Sequence, residues 1–174
     1  MAKRPIITAP DPRLKVKCRA VDKVDDSVRR LMDDMLETMY AAPGIGLAAP
    51  QVGDTRRVLV LDVARENEPP QPLKLANPEI VWASEDEIVH EEGCLSVPEH
   101  YAEVKRPAEV KVRYLDYENE IRELHATGLL SVCLQHEMEH LDGVLFIDHL
   151  SSVKRDIIIR KLAKQRKADE REPA

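Results

Sequence analysis

Two histidines and a glutamate lie together in the segment HEMEH, residues 136–140. In a helix each residue turns by about 100°, so His136 and His140 project from one face, one turn apart. Two imidazoles in this arrangement can bind one metal ion, and Glu137 can then reach a metal-bound water as its acid/base. The H-E-x-x-H pattern therefore indicates a metal-dependent hydrolase, while its spacing alone also fits two half-exposed histidines without a metal.

A catalytic metal usually keeps three protein ligands and one open position, so a third ligand is needed. His149 follows the predicted helix too closely to be a good candidate, and the acidic residues beyond it belong to a charged helix or tail. Cys94 is the better candidate because it lies in EEGCLSVP, residues 91–98, a segment with extended character. The alternative for an isolated cysteine is a small buried apolar residue.

The elements around these residues predict an α+β fold. Apolar residues recur at three- and four-residue spacing between Val24 and Ala42, which predicts an N-terminal helix. A second helix is predicted from Thr127 to about Leu141 and carries HEMEH, and a C-terminal helix starts near Ser151. The segment GIGLAAPQVG, residues 44–53, is predicted to be a loop. Strands are predicted at RRVLVLDV (residues 56–63), 74–76, 79–82, 87–98, 109–116 and 121–125. We therefore expect antiparallel β-sheets packed around a central helix that carries the H-E-x-x-H motif.

Length and composition predict one core. The chain has 174 residues, 43% of them hydrophobic, and we assign residues 1–150 to a single catalytic metallohydrolase domain and 151–174 to a C-terminal helix and charged tail. The net charge of -6 argues against a protein that coats nucleic acid, and we expect no DNA partner. No segment has the length of a signal peptide or a membrane span, so we expect a cytoplasmic protein without membrane contact.

Three segments resemble, in order and spacing, the signature motifs of peptide deformylases: GIGLAAPQ at 44–51, EGCLS at 92–96 and QHEMEHL at 135–141. The resemblance implies that the metal ligands are Cys94, His136 and His140. It further implies that Glu137 is the catalytic acid/base, and that Gln51 and the backbone N–H of Leu95 stabilise the oxyanion. The backbone of Gly46 is then expected to bind the peptide N–H of the substrate.

The function implied by this resemblance is hydrolysis of the N-formyl group on the N-terminal methionine of newly made proteins, with release of formate. The partners are then N-formylmethionyl nascent peptides. A mixed sulfur and nitrogen site suits Zn²⁺, Fe²⁺, Co²⁺ or Ni²⁺. The resemblance favours Fe²⁺ in the cell and leaves Zn²⁺, Ni²⁺ or Co²⁺ possible in the isolated protein.

Helical spacing predicts an apolar wall beside the metal. Leu129, Val132 and Cys133 precede His136 by seven, four and three residues and share its face. Such a wall suits the unbranched thioether of methionine, and the alternative is that these residues belong only to the core.

One residue departs from the family pattern, since Glu139 stands where peptide deformylases usually have aspartate. Glu139 projects about 60° from His136 on the helix, so it is not at a ligand position. The departure is therefore expected to affect hydrogen bonding around the ligands and not the reaction itself.

The C-terminal segment is basic although the protein is acidic. Residues 151–167 contain seven basic side chains and a single acidic one. The apolar run 157–159 with Leu162 is expected to hold one side of this helix on the body, leaving the basic side for a polyanion or simply for solvent. The resemblance implies docking on the ribosome, as bacterial deformylases of this kind do through a C-terminal helix.

Two other functions fit the residues. The first is a zinc endoprotease of the H-E-x-x-H type. The second is a non-catalytic protein in which a Cys-His-His metal site braces the fold, although structural zinc normally has four protein ligands.

Overall fold

The structure is a computed structural model that describes residues 2–171. Three α-helices and seven strands follow in the order α1 (Asp26–Ala41), β1 (Gly46–Ala48), β2 (Val58–Leu61), β3 (Leu73–Ala83), β4 (Glu87–Cys94), β5 (Val97–Pro107), β6 (Glu109–Leu115), β7 (Ile121–Thr127), α2 (Gly128–His140) and α3 (Ser152–Arg171). Short 3₁₀ turns occupy Pro12–Lys15, Ala49–Val52 and Phe146–His149. The predicted α+β class is confirmed.

Five strands form one antiparallel sheet in the order β1-β2-β3-β6-β7, which is covered by a helix on each face. Successive side chains of a strand point to opposite faces, and β2 is buried on both. Val58 and Val60 belong to the cluster with α1, whereas Leu59 and Leu61 belong to the cluster with α2. The continuous apolar run VLVL is therefore explained by two helices that sandwich one strand.

The remaining two strands, β4 and β5, form a separate antiparallel hairpin that begins its tight turn at Cys94. Val97 and Val104 of β5 pack with Phe146 and with Leu162 of α3 in a third apolar cluster. Helix α2 thus lies between the five-stranded sheet and this hairpin. The predicted central position of the motif helix is confirmed.

The helix predictions are confirmed within two residues. The Asp25 carboxylate caps α1 by accepting a hydrogen bond from the N–H of Val28 at 3.0 Å. Thr127, where this helix was expected to begin, is the residue that precedes α2, and its side chain makes no capping hydrogen bond. The backbone of Gly128 has a φ of 56° and redirects the chain from β7 into α2.

Three strand predictions differ from the structure. The segment predicted as a loop contains the edge strand β1 followed by the 3₁₀ turn Ala49–Val52. The two strands predicted at 74–76 and 79–82 are one strand, β3, with an irregularity at Asn77, whose φ is 49°. The single strand predicted at 87–98 is two strands, β4 and the start of β5, with a turn at residues 95 and 96. Strand β5 continues to Pro107, because pairing with β4 outweighs Pro98, Glu99 and the charges that obscure its alternation.

Helix α3 rests on the body through fewer apolar residues than expected. Ile158, Ile159 and Leu162 pack in the third cluster, whereas Ile157 is 44% exposed. Ile157 borders a groove with Tyr101 and Glu103 of β5 but lies outside the cluster, so the run 157–159 packs in the cluster only through Ile158 and Ile159. The division of the chain at residue 150 stays a prediction. Among residues 2–171, no helix is both long and apolar enough to cross a membrane.

A glycine with a positive φ lies at each end of α2, and the two differ in the space around them. Gly143, with a φ of 76°, follows α2, and a Cβ there would lie 2.6 Å from the carbonyl oxygen of Lys15. Gly128 also has a positive φ, but a Cβ there would meet nothing within 4 Å. We expect Gly128→Ala to cost about 1–2 kcal/mol, the ordinary penalty of left-handed backbone, and Gly143→Ala at least twice as much. Denaturant unfolding of both variants measures this, and equal losses would contradict the steric argument.

Candidate metal centre

Helix α2 brings its two histidines and Glu137 into the interior. His136, Glu137 and His140 are all less than 9% exposed. The turn of the β4–β5 hairpin places the Cys94 thiol against them, with Sγ 3.3 Å from Nε2 of His140. One ligand atom from each of Cys94, His136 and His140 lies within 4.8 Å of the others. The structure therefore brings together the three residues expected to bind the metal.

The donor atoms fit one divalent ion. Metal–nitrogen and metal–sulfur bonds of about 2.0–2.3 Å require ligand atoms at such mutual distances. Burial lowers the pKa of His140 well below its usual range, which keeps this imidazole in the neutral form that a metal needs. The buried Oε1 of Glu137 has no hydrogen-bond partner among the described residues, and a water on the metal would provide one. Burial also raises the pKa of Glu137 to about 7, a suitable value for a group that exchanges protons near neutral pH.

His136 is oriented by a carboxylate that sequence analysis did not assign. Glu92 Oε1 lies 2.9 Å from Nδ1 of His136, which leaves Nε2 to face Cys94. Burial by itself would raise the pKa of Glu92, but hydrogen bonds from Arg106 and His136 lower it to about 2. Burial would lower the pKa of His136, yet its bonds with Cys94 and Glu92 raise it. Glu92 is the first residue of the EGCLS motif, and this position in a motif is the sequence feature from which its contact with His136 could have been predicted.

Gln51 lies beside the cysteine because the 3₁₀ turn Ala49–Val52 points it inward. Its Oε1 accepts a hydrogen bond from the Ala48 N–H at 2.9 Å, which fixes the orientation of the amide. The amide nitrogen then donates to Ser96 Oγ at 3.0 Å and lies 3.6 Å from Cys94 Sγ. Gln51 is 1% exposed, so the amide is a preorganised donor at the candidate metal centre.

Two glycines of the segment 44–51 make room for side chains of the other two motifs. A Cβ on Gly46 would lie 2.5 Å from Oε2 of Glu137. A Cβ on Gly44 would lie 2.7 Å from Cδ1 of Leu95. The three motifs therefore contact one another directly, and the close approach of β1 to α2 depends on the missing side chain at residue 46.

A cleft of about 700 Å³ leads to these groups. Its lining includes most of the residues singled out from the sequence: Gly46, Gln51, Cys94, Leu95, Leu129, Val132, Cys133, His136 and Glu137. Val132 and Cys133 are buried, and Leu129 is 41% exposed at the cleft. Burial raises the pKa of the Cys133 thiol, so it remains uncharged and apolar. The wall predicted from helical spacing does line the cleft, and Cys133 also belongs to the core cluster of α2.

Glu139 lies outside the group of ligand atoms. Its carboxylate bonds Arg106 Nη1 at 2.7 Å and His149 Nε2 at 2.8 Å. The expectation that this residue contributes hydrogen bonds around the ligands is therefore consistent with the geometry. His149 is not near enough to join the three ligands, as its sequence position suggested.

The contact between Gly46 and Glu137 can be tested by adding one methyl group. Gly46→Ala would force the buried Glu137 carboxylate to move, and a misplacement of about 1 Å can lower turnover about 100-fold. Gly44→Ala is the matched control, because it meets only the movable end of the Leu95 side chain. We expect bound metal to persist in both variants and kcat on a formylated peptide to fall sharply only for Gly46→Ala. Equal kcat values for Gly46→Ala and Gly44→Ala would contradict the idea that Glu137 needs the space left by Gly46.

Comparisons with known proteins agree with this geometry. A polypeptide deformylase family model matches residues 3–156. The chain is 61% identical over 168 residues to a peptide deformylase of Phenylobacterium zucineum, covering 97% of this chain and 99% of the relative. A crystal structure of peptide deformylase from Ehrlichia chaffeensis superposes with a TM-score of 0.92 at 42% identity, covering 97% and 99% of the two chains. A second structure of the Ehrlichia protein, in complex with actinonin, gives a TM-score of 0.91 at 44% identity, covering 95% of this chain and 98% of the other. This chain belongs to the polypeptide deformylase family.

Proposed function

We propose that this protein hydrolyses the N-formyl group on the N-terminal methionine of newly synthesised proteins and releases formate. The observation that carries the proposal is the convergence of Cys94, His136 and His140 at one point of a cleft, with Glu137 beside them. Membership of the deformylase family supports the same reaction. The substrate class is then N-formylmethionyl nascent peptides.

In this proposal Cys94, His136 and His140 bind one divalent ion. When bound, such an ion acts as a Lewis acid that polarises a carbonyl group and lowers the pKa of a coordinated water. Glu137 accepts a proton from the attacking water and delivers it to the amine that leaves. Its burial and its contact with Gly46 keep the carboxylate in one position, which both proton transfers require.

Gln51 and the backbone N–H of Leu95 are proposed to donate hydrogen bonds to the formyl oxygen as negative charge develops on it. The amide of Gln51 is held by Ala48 and Ser96, so little reorganisation is needed. Removal of one such donor typically costs about 2.7–4 kcal/mol in transition-state stabilisation. Gly46 belongs to an edge strand, and its backbone is proposed to bind the peptide N–H of the substrate.

The methionine side chain is proposed to pack on Leu129, Val132 and Cys133. These residues line the cleft next to His136 and carry no charge, because the Cys133 thiol stays protonated. An unbranched thioether adapts well to such a wall.

The metal in the cell is proposed to be Fe²⁺, with Zn²⁺, Ni²⁺ or Co²⁺ as ions that the isolated protein can hold. One thiolate and two imidazoles suit all four ions. The protein is proposed to act in the cytoplasm, because formylated nascent chains are made there. Anaerobic purification followed by metal analysis, and by activity of each reconstituted form, identifies the ion.

Two other functions remain as alternatives, a zinc endoprotease and a non-catalytic structural metal site. The described residues offer three metal ligands, whereas structural zinc usually has four. The deciding experiment compares formyl-Met-Ala-Ser with acetyl-Met-Ala-Ser and with a longer peptide blocked at its N-terminus. Formate from the first peptide and no cleavage of the others supports the proposal. Cleavage of internal bonds supports the endoprotease, and no reaction at all supports the structural site.

Variants of the ligands and of the acid/base should behave differently. Glu137→Gln is expected to keep stoichiometric metal and lose about 100- to 10,000-fold in kcat, because it removes a proton acceptor and not a ligand. Cys94→Ala and His136→Ala are expected to lose the metal. Metal analysis with formate release measures both effects. Loss of metal from Glu137→Gln, in protein with unchanged circular dichroism, would contradict these roles.

We also propose that α3 docks the protein on the ribosome. Lys154, Lys161 and Lys164 are exposed on α3, while Ile158 and Leu162 pack against the body. The packed side leaves the basic residues available to a polyanion such as ribosomal RNA. Docking near the emerging chain would raise the local concentration of substrate.

Charge reversal tests this proposal without removing the packed face of α3. The double variant Lys161→Glu, Lys164→Glu is expected to cosediment less with ribosomes at low salt, while hydrolysis of short formyl peptides is largely unchanged. Lys17→Glu, Lys23→Glu changes the net charge equally at two other exposed lysines and is the matched control. Equal cosedimentation of the α3 variant and the parent would show that the basic face is only solvated.

A further inference from the structure

A chain of hydrogen bonds leads from His136 to a histidine outside the cleft. Glu92 bonds Nδ1 of His136 at 2.9 Å, and Arg106 bonds both oxygens of Glu92 at 2.6 and 2.9 Å. The third guanidinium nitrogen, Nη1, donates to Oε1 of Glu139 at 2.7 Å. His149 Nε2 then lies 2.9 and 2.8 Å from the two oxygens of Glu139. His149 does not line the cleft, and the reaction proposed above does not use it.

Arg106 is the member of the chain whose orientation matters most. Its side chain is 4% exposed, as is that of Glu92, so both charges depend on each other. A guanidinium is a rigid planar fork, and fixing one nitrogen fixes the direction of the others. The bond from Nη1 to Glu139 therefore holds Nε and Nη2 in the orientation that meets both oxygens of Glu92. Glu92 in turn faces His136.

Glu139 needs a partner to stay in place. Its side chain is 27% exposed and has three rotatable bonds, so without a second contact it can turn into solvent. In the part of the chain that the structure describes, its carboxylate bonds only Arg106 and His149. His149 accounts for contacts at both carboxylate oxygens.

The position of His149 is itself tied to the candidate metal centre. His149 ends the 3₁₀ turn Phe146–His149, and Phe146 at its start is 1% exposed. The ring of Phe146 stacks on the ring of His136, with centroids 5.9 Å apart and an interplanar angle of 26°. One turn therefore contacts His136 directly and also carries His149 at the far end of the hydrogen-bonded chain.

We propose that His149 is a positioning residue for the metal ligand His136. It holds Glu139 against Arg106, Arg106 holds Glu92, and Glu92 fixes the imidazole of His136 toward the ion. The inference rests on the proposed ligand role of His136. It assigns His149 no contact with substrate or metal.

The test is the rate at which Zn²⁺ leaves the zinc-loaded protein for a chromophoric chelator. His149→Leu removes the hydrogen bond and keeps much of the volume, and we expect release to be about 3- to 10-fold faster. This is below the roughly 10- to 100-fold loss typical for a direct partner of a ligand, because three side chains lie between His149 and the ligand His136. His149→Gln keeps an N–H donor and should return release to within about twofold of the parent. An unchanged rate in His149→Leu, or a rate in His149→Gln equal to that of His149→Leu, would overturn the proposal.

A double variant shows whether His149 acts through Glu139. In a Glu139→Ala background, His149→Leu should change the release rate no further, because the link is already broken. If His149→Leu accelerates Zn²⁺ release in that background as much as it does in the parent, His149 does not act through Glu139. His125→Leu removes a similar histidine–carboxylate pair, His125 with Glu109 at 2.8 Å on the sheet, and should leave release at the parent rate.

Zinc release does not depend on the reaction that the protein catalyses. If formylated peptides are not hydrolysed but the variants release Zn²⁺ in the expected order, the proposed function fails and the positioning role stands. If the parent hydrolyses formylated peptides and His149→Leu holds Zn²⁺ as the parent does, the positioning role alone fails. Thermal unfolding of the metal-free variants identifies any that are misfolded, and His149→Gln supplies the comparison in that case.

Discussion

A carboxylate and two imidazoles on one buried helical turn need partners, because the effective penalty for removing an ion from water is several kcal/mol. The surrounding structure supplies those partners from separate elements. The β4–β5 hairpin contributes Cys94 and Glu92, and the 3₁₀ turn Ala49–Val52 contributes Gln51. Helix α2 can carry His136 and its neighbours in the interior only because these elements close around it. The arrangement of two sheets around one central helix meets that requirement.

Steric contacts, as well as charge, fix the positions of side chains at the candidate metal centre. Strand β1 approaches α2 so tightly that a methyl group on Gly46 would overlap the Glu137 carboxylate. On the other side of the helix, Leu134 and Met138 fill the interface with the sheet. The helix is therefore fixed by apolar packing on its back and by steric contact on the face that carries Glu137. The apolar packing of α2 and the close approach of Gly46 together orient the Glu137 side chain.

The C-terminal segment contributes to the interior as well as to the surface. Cys94 packs against the apolar cluster that contains Phe146 and Leu162 of α3. The turn that contains Phe146 joins α2 to α3, so the basic helix begins a few residues from a stacking partner of His136. Helix α3 and the candidate metal centre are thus neighbours in the fold.

Local sequence patterns determined much of this protein. The spacing of HEMEH places His136 and His140 on one face of any helix, and the apolar periodicity of α1 predicts its length, because both depend only on helical geometry. Tertiary structure decided the rest. The edge strand at Gly46 forms because β2 pairs with it, and β5 forms because it pairs with β4, so neither pattern is visible in its own segment. The roles of Glu92, Arg106 and His149 likewise arise only when four distant segments meet, since a hydrogen bond depends on the distance between atoms and not on their separation along the chain.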